Sequence, residues 1–131
     1  MSDSGLITYS AISPSCNRPR KYPISKITPH HMAGNLSLKQ IAEIEGRPAR
    51  QMSSNYAIAS NGDIALLCHE ADRSWCSSSP ENDHRAITIE VANDQIGGNW
   101  HVSDAAFESL IALCVDICQR NPALASGLNY T

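Results

Sequence analysis

The side chains in this sequence that are best suited to catalysis or metal binding belong to two adjacent histidines and one glutamate. His30 and His31 end the short segment 26–31, and Glu90 lies within an apolar segment further along the chain. Successive side chains of a strand point to opposite faces, so we expect at most one of the two histidines to bind a metal ion. Taken alone, a histidine at a strand end is more often a hydrogen-bonded structural group than a ligand.

Glu90 leaves two interpretations open. The segment 86–92 alternates with a period of two, which predicts a strand with Ile87, Ile89 and Val91 on one face and Thr88 and Glu90 on the other. An unpaired carboxylate in the middle of a central strand is costly to bury. Glu90 therefore either pairs with a cation such as Arg85 or lines a wet cleft.

The elements around these residues have clear local signals. The segment 26–31 predicts a strand that is either at the edge of a sheet or bulged at Pro29, because proline has no backbone N–H to donate to a second neighbour. The helix that follows begins at Ser37, which forms a capping box with Gln40, and ends at Gly46.

A hairpin and a long helix complete the pattern. Two apolar runs, 55–59 and 64–68, flank an Asn61-Gly62 pair, which favours a type I′ turn. The long helix begins after Ser103 and ends at Asn121-Pro122. Its predicted core face consists of Phe107, Leu110, Ile111, Cys114, Val115 and Cys118. The order of elements predicts an α/β fold with a mixed central β-sheet flanked by helices.

Composition predicts a single domain over residues 1–131. The net charge of -3 gives no field that attracts a polyanion, so we expect no nucleic-acid partner. Neither a transmembrane segment nor a signal peptide is evident, so we expect synthesis in the cytoplasm and no membrane insertion. The five cysteines predict reduced, mostly buried thiols. The segment 13–23 is expected to be an irregular surface connection in which Arg18, Arg20 and Lys21 are solvated. The segment 70–85, around Trp75, is expected to be an ordered surface loop.

Several segments together resemble a known family. They are residues 27–35, 53–64, 73–75, 82–93 and 100–104, in this order and over nearly the whole chain. They are similar to the zinc-dependent N-acetylmuramoyl-L-alanine amidases of phage endolysins and bacterial autolysins, which share their fold with peptidoglycan recognition proteins. The resemblance implies an amidase fold and hydrolysis of the bond between N-acetylmuramic acid and L-alanine in peptidoglycan.

The resemblance also implies roles for individual residues. His30 takes the position of a zinc ligand, and Glu90 that of the catalytic carboxylate. Tyr56 takes the position of a catalytic tyrosine at the edge of the active site, which would hydrogen-bond the developing oxyanion or orient the water. We expect Trp75 and Asn55 to contact the substrate. Zinc would lower the pKa of a bound water from about 15.7 towards 7 and polarise the scissile carbonyl. Glu90 would move a proton from that water to the leaving amine.

The chain departs from the family pattern at its end. The family takes a second histidine and a cysteine or aspartate after the long helix, whereas the sequence reaches Thr131 without them. We therefore expect an incomplete amidase domain that binds zinc poorly, is weakly active or inactive alone, and forms homo-oligomers through apolar surface left exposed. An endolysin would act on the cell wall after release from the cytoplasm. The alternative is a non-catalytic peptidoglycan-binding module, or an inactive fragment of such an enzyme.

Overall fold

The structure of the chain is a computed structural model that describes residues 2–122 and 124. Its strands are β1 (Tyr9–Ser10), β2 (Cys16–Asn17), β3 (Lys26–His31), β4 (Tyr56–Ile58), β5 (Ile64–Leu66), β6 (Arg73–Ser74) and β7 (Ala86–Val91). Its α-helices are α1 (Leu38–Glu45), α2 (Pro80–Arg85) and α3 (Asp104–Arg120), with a 3-10 turn at Pro48–Arg50.

The main sheet has five strands in the order β1-β5-β4-β7-β3. β7 lies between β3 and β4 and is parallel to both, whereas β5 is antiparallel to β4 and parallel to β1. β2 and β6 form a separate antiparallel pair. The predicted strand with Pro29 is the edge strand β3, where a missing N–H leaves no ladder hydrogen bond unmade on the outer side.

Different helices cover the two faces of the main sheet. On one face, Ile87, Ile89 and Val91 pack with Leu113 and Ile117 of α3. On the other, Ile41 and Ala42 of α1 pack with Ala57, Ala65 and Leu67. The predicted class, α/β with a mixed central sheet flanked by helices, is confirmed.

The predicted helix boundaries are confirmed, but the predicted core face of α3 is partly wrong. Ser37 and Gln40 form the capping box of α1, which ends at Gly46, and Ser103 caps α3. The buried residues of α3 are Ala106, Leu113 and Ile117, whereas Phe107, Ile111 and Val115 are about half exposed. Leu110, Cys114 and Cys118 are partly buried against the same core. Apolar residues lie on several adjoining faces of α3, so its sequence does not decide which face packs on the sheet. The sheet buries a face next to the predicted one. Self-association through the exposed residues stays a prediction.

The hairpin between β4 and β5 is confirmed, but its predicted turn type is wrong. A type I′ turn needs positive φ at both central residues. Gly62 has a φ of 91°, whereas Asn61 is outside the positive-φ region. The Gly62 N–H donates to the Ala59 oxygen at 2.9 Å, and the Ala59 N–H donates to the Asp63 oxygen at 3.0 Å. These two hydrogen bonds enclose a loop of three residues, 60–62, which is one more than the two of a type I′ turn. Gly62 takes the single left-handed position in this loop.

Two segments that were expected to be surface loops are built into the fold. Arg20 is buried, and its guanidinium donates to five backbone carbonyl oxygens at 2.8 to 3.3 Å. The segment 70–85 contains β6 and α2 and buries several polar side chains, namely Glu70, Asp72, Ser74, Asp83 and His84. The expectations of a solvated Arg20 and of a surface loop over 70–85 are therefore wrong, because the polar groups there have partners from distant segments. In the described part of the chain, no helix combines the length and apolarity needed to cross a membrane.

Candidate functional site

The structure brings His30 and Glu90 together. The parallel pairing of β3 with β7 places the two residues opposite each other in register, so their side chains share one face of the sheet. The His30 Nδ1 lies 3.4 Å from each carboxylate oxygen of Glu90. The His30 side chain is 63% exposed and that of Glu90 is 11% exposed. The carboxylate is therefore largely buried beside a solvent-exposed imidazole.

The cationic partner considered for Glu90 lies elsewhere. Arg85 contacts the Glu81 carboxylate at 3.4 Å and lies over the Tyr22 ring, with 3.9 Å between guanidinium carbon and ring centroid. Of the two interpretations of Glu90, pairing with Arg85 is therefore wrong. The observed contacts of the carboxylate are an imidazole and a thiol.

The thiol is that of Cys76, for which the sequence predicts only a reduced thiol and no role in the site. Its Sγ donates to Oε1 of Glu90 at 3.4 Å. Burial and the nearby Glu90 carboxylate raise the pKa of this thiol. Its position directly after Trp75, next to the segment 73–75 that carries part of the family resemblance, was the signal that could have marked it.

The two adjacent histidines do not diverge as expected. The rings of His30 and His31 stack with centroids 5.6 Å apart and an interplanar angle of 17°. The His31 Nδ1 also lies 3.3 Å from Oδ1 of Asn93. His31 is the last residue of β3, where the chain leaves the ladder and its ring can turn towards its neighbour.

Tyr56 does not join this pair. It is opposite Ile89 in the β4–β7 register, so it faces the α3 side of the sheet, and Ala57 is the residue beside Glu90. Its ring is fully buried, its hydroxyl donates to the Glu70 carboxylate, and the hydroxyl accepts from the Ser4 N–H at 2.9 Å. The expected position at the edge of the site is therefore wrong, because the alternation of β4 directs Tyr56 into the core.

Asn55 is also a structural residue in the fold. It is fully buried, its amide donates to the carbonyl oxygens of Cys68 and His69, and its Oδ1 accepts from the Thr88 N–H at 3.0 Å. A side chain with these partners has no surface to offer a ligand. The expectation that Asn55 contacts the substrate is therefore wrong.

Trp75 is half-buried beside the site. Its Nε1 donates to Oδ1 of Asn17 at 2.8 Å. It lines a cavity of about 220 Å³ together with Gln51, Arg73, Ser78 and Pro80. The chain continues directly into Cys76, which contacts Glu90. Substrate contact by Trp75 stays a prediction.

A second carboxyl group is buried near Glu90. Glu45, at the end of α1, is 1% exposed and accepts hydrogen bonds from the backbone N–H and the hydroxyl of Ser54. Burial raises the pKa of Glu45 to about 8, and the charge of Glu90 adds to this shift. Glu45 is therefore largely neutral at pH 7.

The described residues do not fit a three-ligand zinc site. Across residues 2–122 and 124, no three histidine, cysteine, aspartate or glutamate side chains converge in a way that could hold a metal ion. His30 remains the predicted ligand, and its neighbours within reach are Glu90 and His31.

A larger cavity of about 620 Å³ lies between the first turn of α1 and the hairpin turn, and none of the predicted site residues lines it.

Similarity to solved structures defines the fold class. An AmpD structure, determined as a selenomethionine derivative, superposes with a TM-score of 0.70 at 20% identity, covering 96% of this chain and 83% of that chain. The endolysin LysCS from Clostridium intestinale URNW, described as an N-acetylmuramoyl-L-alanine amidase, gives 0.64 at 21% identity, covering 88% and 73%. Drosophila peptidoglycan recognition protein SA gives 0.58 at 19% identity, covering 79% and 64%. The chain has the fold shared by these amidases and recognition proteins.

The sequence itself defines the family. The family model Amidase_2, described as N-acetylmuramoyl-L-alanine amidase, matches residues 20–127. The chain therefore belongs to the N-acetylmuramoyl-L-alanine amidase family. No curated protein sequence matches it significantly.

Proposed function

We propose that the chain is a peptidoglycan hydrolase of the endolysin type that cleaves the amide between N-acetylmuramic acid and L-alanine. The observation that carries this proposal is the family match over residues 20–127, within which His30 lies beside the buried carboxylate of Glu90. An accessible imidazole beside a recessed carboxylate is an arrangement suited to hydrolysis of an amide. Synthesis in the cytoplasm and action on the bacterial cell wall are part of the same proposal.

Glu90 has the central role in this chemistry. It accepts a proton from the attacking water and transfers it to the nitrogen of the leaving L-alanine amine, so the carboxylate is regenerated when the amide bond breaks. His30 contacts both carboxylate oxygens from the solvent-exposed side. Zinc dependence is part of this proposal, with His30 as the predicted ligand. The described residues do not complete a zinc ligand set.

Cleavage of purified muropeptides tests the proposal. We expect mass spectrometry to detect stem peptides with a free L-alanine amino terminus, and Glu90→Gln to reduce their release by at least about 100-fold, the lower part of the range for a general base. Glu81→Gln is the matched control, since the Glu81 side chain is 82% exposed on α2. Each protein is assayed with and without added zinc.

Three results would contradict the proposal in different ways. Full activity of Glu90→Gln would exclude the assigned base. Cleavage unaffected by zinc and by chelators would exclude the metal. Binding of muropeptides without cleavage under any condition would identify a non-catalytic peptidoglycan-binding module instead.

A further inference from the structure

We propose that Cys76 is a positioning residue for the reaction: its thiol donates a hydrogen bond to Oε1 of Glu90 and holds the carboxylate in the direction that proton transfer needs. This inference rests on the proposed function of Glu90. Cys76 belongs to no ligand or catalytic set assigned to this chain. It acts through Glu90 and need not touch the substrate.

The two contacts of Glu90 restrain it unequally. The His30 side chain is 63% exposed, so it can leave its position at little cost and holds the carboxylate weakly. Cys76 is half-buried and approaches Oε1 from the loop that follows β6. A carboxylate on a rigid central strand still rotates about its side-chain bonds, so a fixed donor at one oxygen selects one orientation.

The loop that carries Cys76 is itself anchored. The backbone N–H groups of Cys76 and Ser77 both donate to Oδ2 of Asp83 at 3.0 Å, and the Ser77 hydroxyl donates to its Oδ1 at 2.7 Å. Asp83 is fully buried on α2. Three hydrogen bonds to one buried carboxylate fix the backbone of Cys76, and the thiol therefore points at Glu90 from a defined place.

The protonation state of the thiol suits a donor. Burial is the largest cause that raises the pKa of the Cys76 thiol, and the negative charge of Glu90 acts in the same direction. Cys76 therefore keeps its proton at neutral pH and can donate to a carboxylate, whereas a thiolate would repel it. A thiol is a weak donor, so serine at this position can replace its function and alanine cannot.

Steady-state kinetics on muropeptides test the proposal. We expect Cys76→Ala to lower kcat about tenfold with KM unchanged, which is the effect of losing one hydrogen bond to a charged group. Cys76→Ser should keep kcat within about threefold of the wild type, because its hydroxyl also donates to Oε1. Cys114→Ala, which removes a half-buried thiol on α3 away from Glu90, is the matched control. Equal kcat for the alanine variant and the wild type, or for the alanine and serine variants, overturns the proposal.

A second measurement separates this proposal from the proposed function. The ¹³C relaxation of the Glu90 side-chain methylene groups reports their order on the ps–ns timescale without any turnover. We expect lower order in Cys76→Ala than in the wild type and recovered order in Cys76→Ser. If no form of the protein cleaves muropeptides, the proposed function fails. Unchanged Glu90 order in Cys76→Ala then overturns the positioning role independently.

Discussion

The buried carboxyl group of Glu45 makes the stability of this protein depend on pH. It is 1% exposed, and its observed contacts are the N–H and hydroxyl of Ser54. Burial raises its pKa from an ordinary value of 4.5 to about 8. Replacing it by glutamine keeps the shape and an acceptor for the Ser54 N–H but removes the titrating proton.

The sign of the effect follows from proton linkage. Below pH 4.5 the carboxyl group is protonated in the folded and unfolded chains, so its favourable contribution is fully present. Between about 4.5 and about 8 the unfolded chain releases the proton while the folded chain keeps it, and the free energy of unfolding falls as pH rises. Each tenfold difference in proton affinity is worth about 1.4 kcal/mol. The wild type should therefore lose about 4 kcal/mol between pH 5 and pH 8 through this group.

Urea unfolding at several pH values between 5 and 8 measures this effect. We compare the wild type with Glu45→Gln, because contributions from other titrating groups cancel in the difference of their free energies of unfolding. Glu43→Gln, at an exposed position on the same helix, is the control. We expect Glu45→Gln to gain stability relative to the wild type as pH rises, and Glu43→Gln to show no such trend. Parallel pH profiles for Glu45→Gln and the wild type would refute the reasoning.

Two further predictions concern packing and buried polar contacts. Arg20→Lys should lower the free energy of unfolding by about 3 kcal/mol, because one ammonium cannot reach the five carbonyl oxygens that the guanidinium contacts; a loss below about 1 kcal/mol in urea unfolding would contradict this. Leu113→Ala should cost about 3 kcal/mol and Phe107→Ala less than about 1 kcal/mol, since Leu113 is fully buried and Phe107 is 55% exposed. The reverse order in thermal and urea unfolding would show that α3 buries the face predicted from its sequence.

Features that depend on neighbouring residues could be predicted from the sequence. Ser37 and Gln40 form their capping box, Pro29 lies in an edge strand, and the alternation along β7 separates Glu90 from the apolar positions. These features depend on local hydrogen bonds and on the direction of each side chain, and a few adjacent residues determine both. The resemblance then placed His30 and Glu90 in one site, and the β3–β7 register brings them together.

The turn and the face of α3 required tertiary information. An Asn-Gly pair is compatible with several turn types. The pairing of β4 with β5 encloses a loop one residue longer than a type I′ turn, and within this loop only Gly62 has a positive φ. Helix α3 carries apolar residues on adjoining stripes, so its sequence admits more than one buried face. Contact with the sheet selects Leu113 and Ile117 over Phe107 and Ile111.

The sequence by itself predicted the ends of α1 and α3, the hairpin between β4 and β5, and the class of fold. Its family resemblance predicted that one imidazole and one carboxylate belong to the same site. Only the tertiary structure decided the partners of buried polar groups, because those partners lie far away along the chain. Tyr56 and Arg120 both bind Glu70, and the thiol of Cys76 meets Glu90 across the β6–β7 connection. Local patterns describe one element at a time, whereas the burial of a charge depends on which other elements come to surround it.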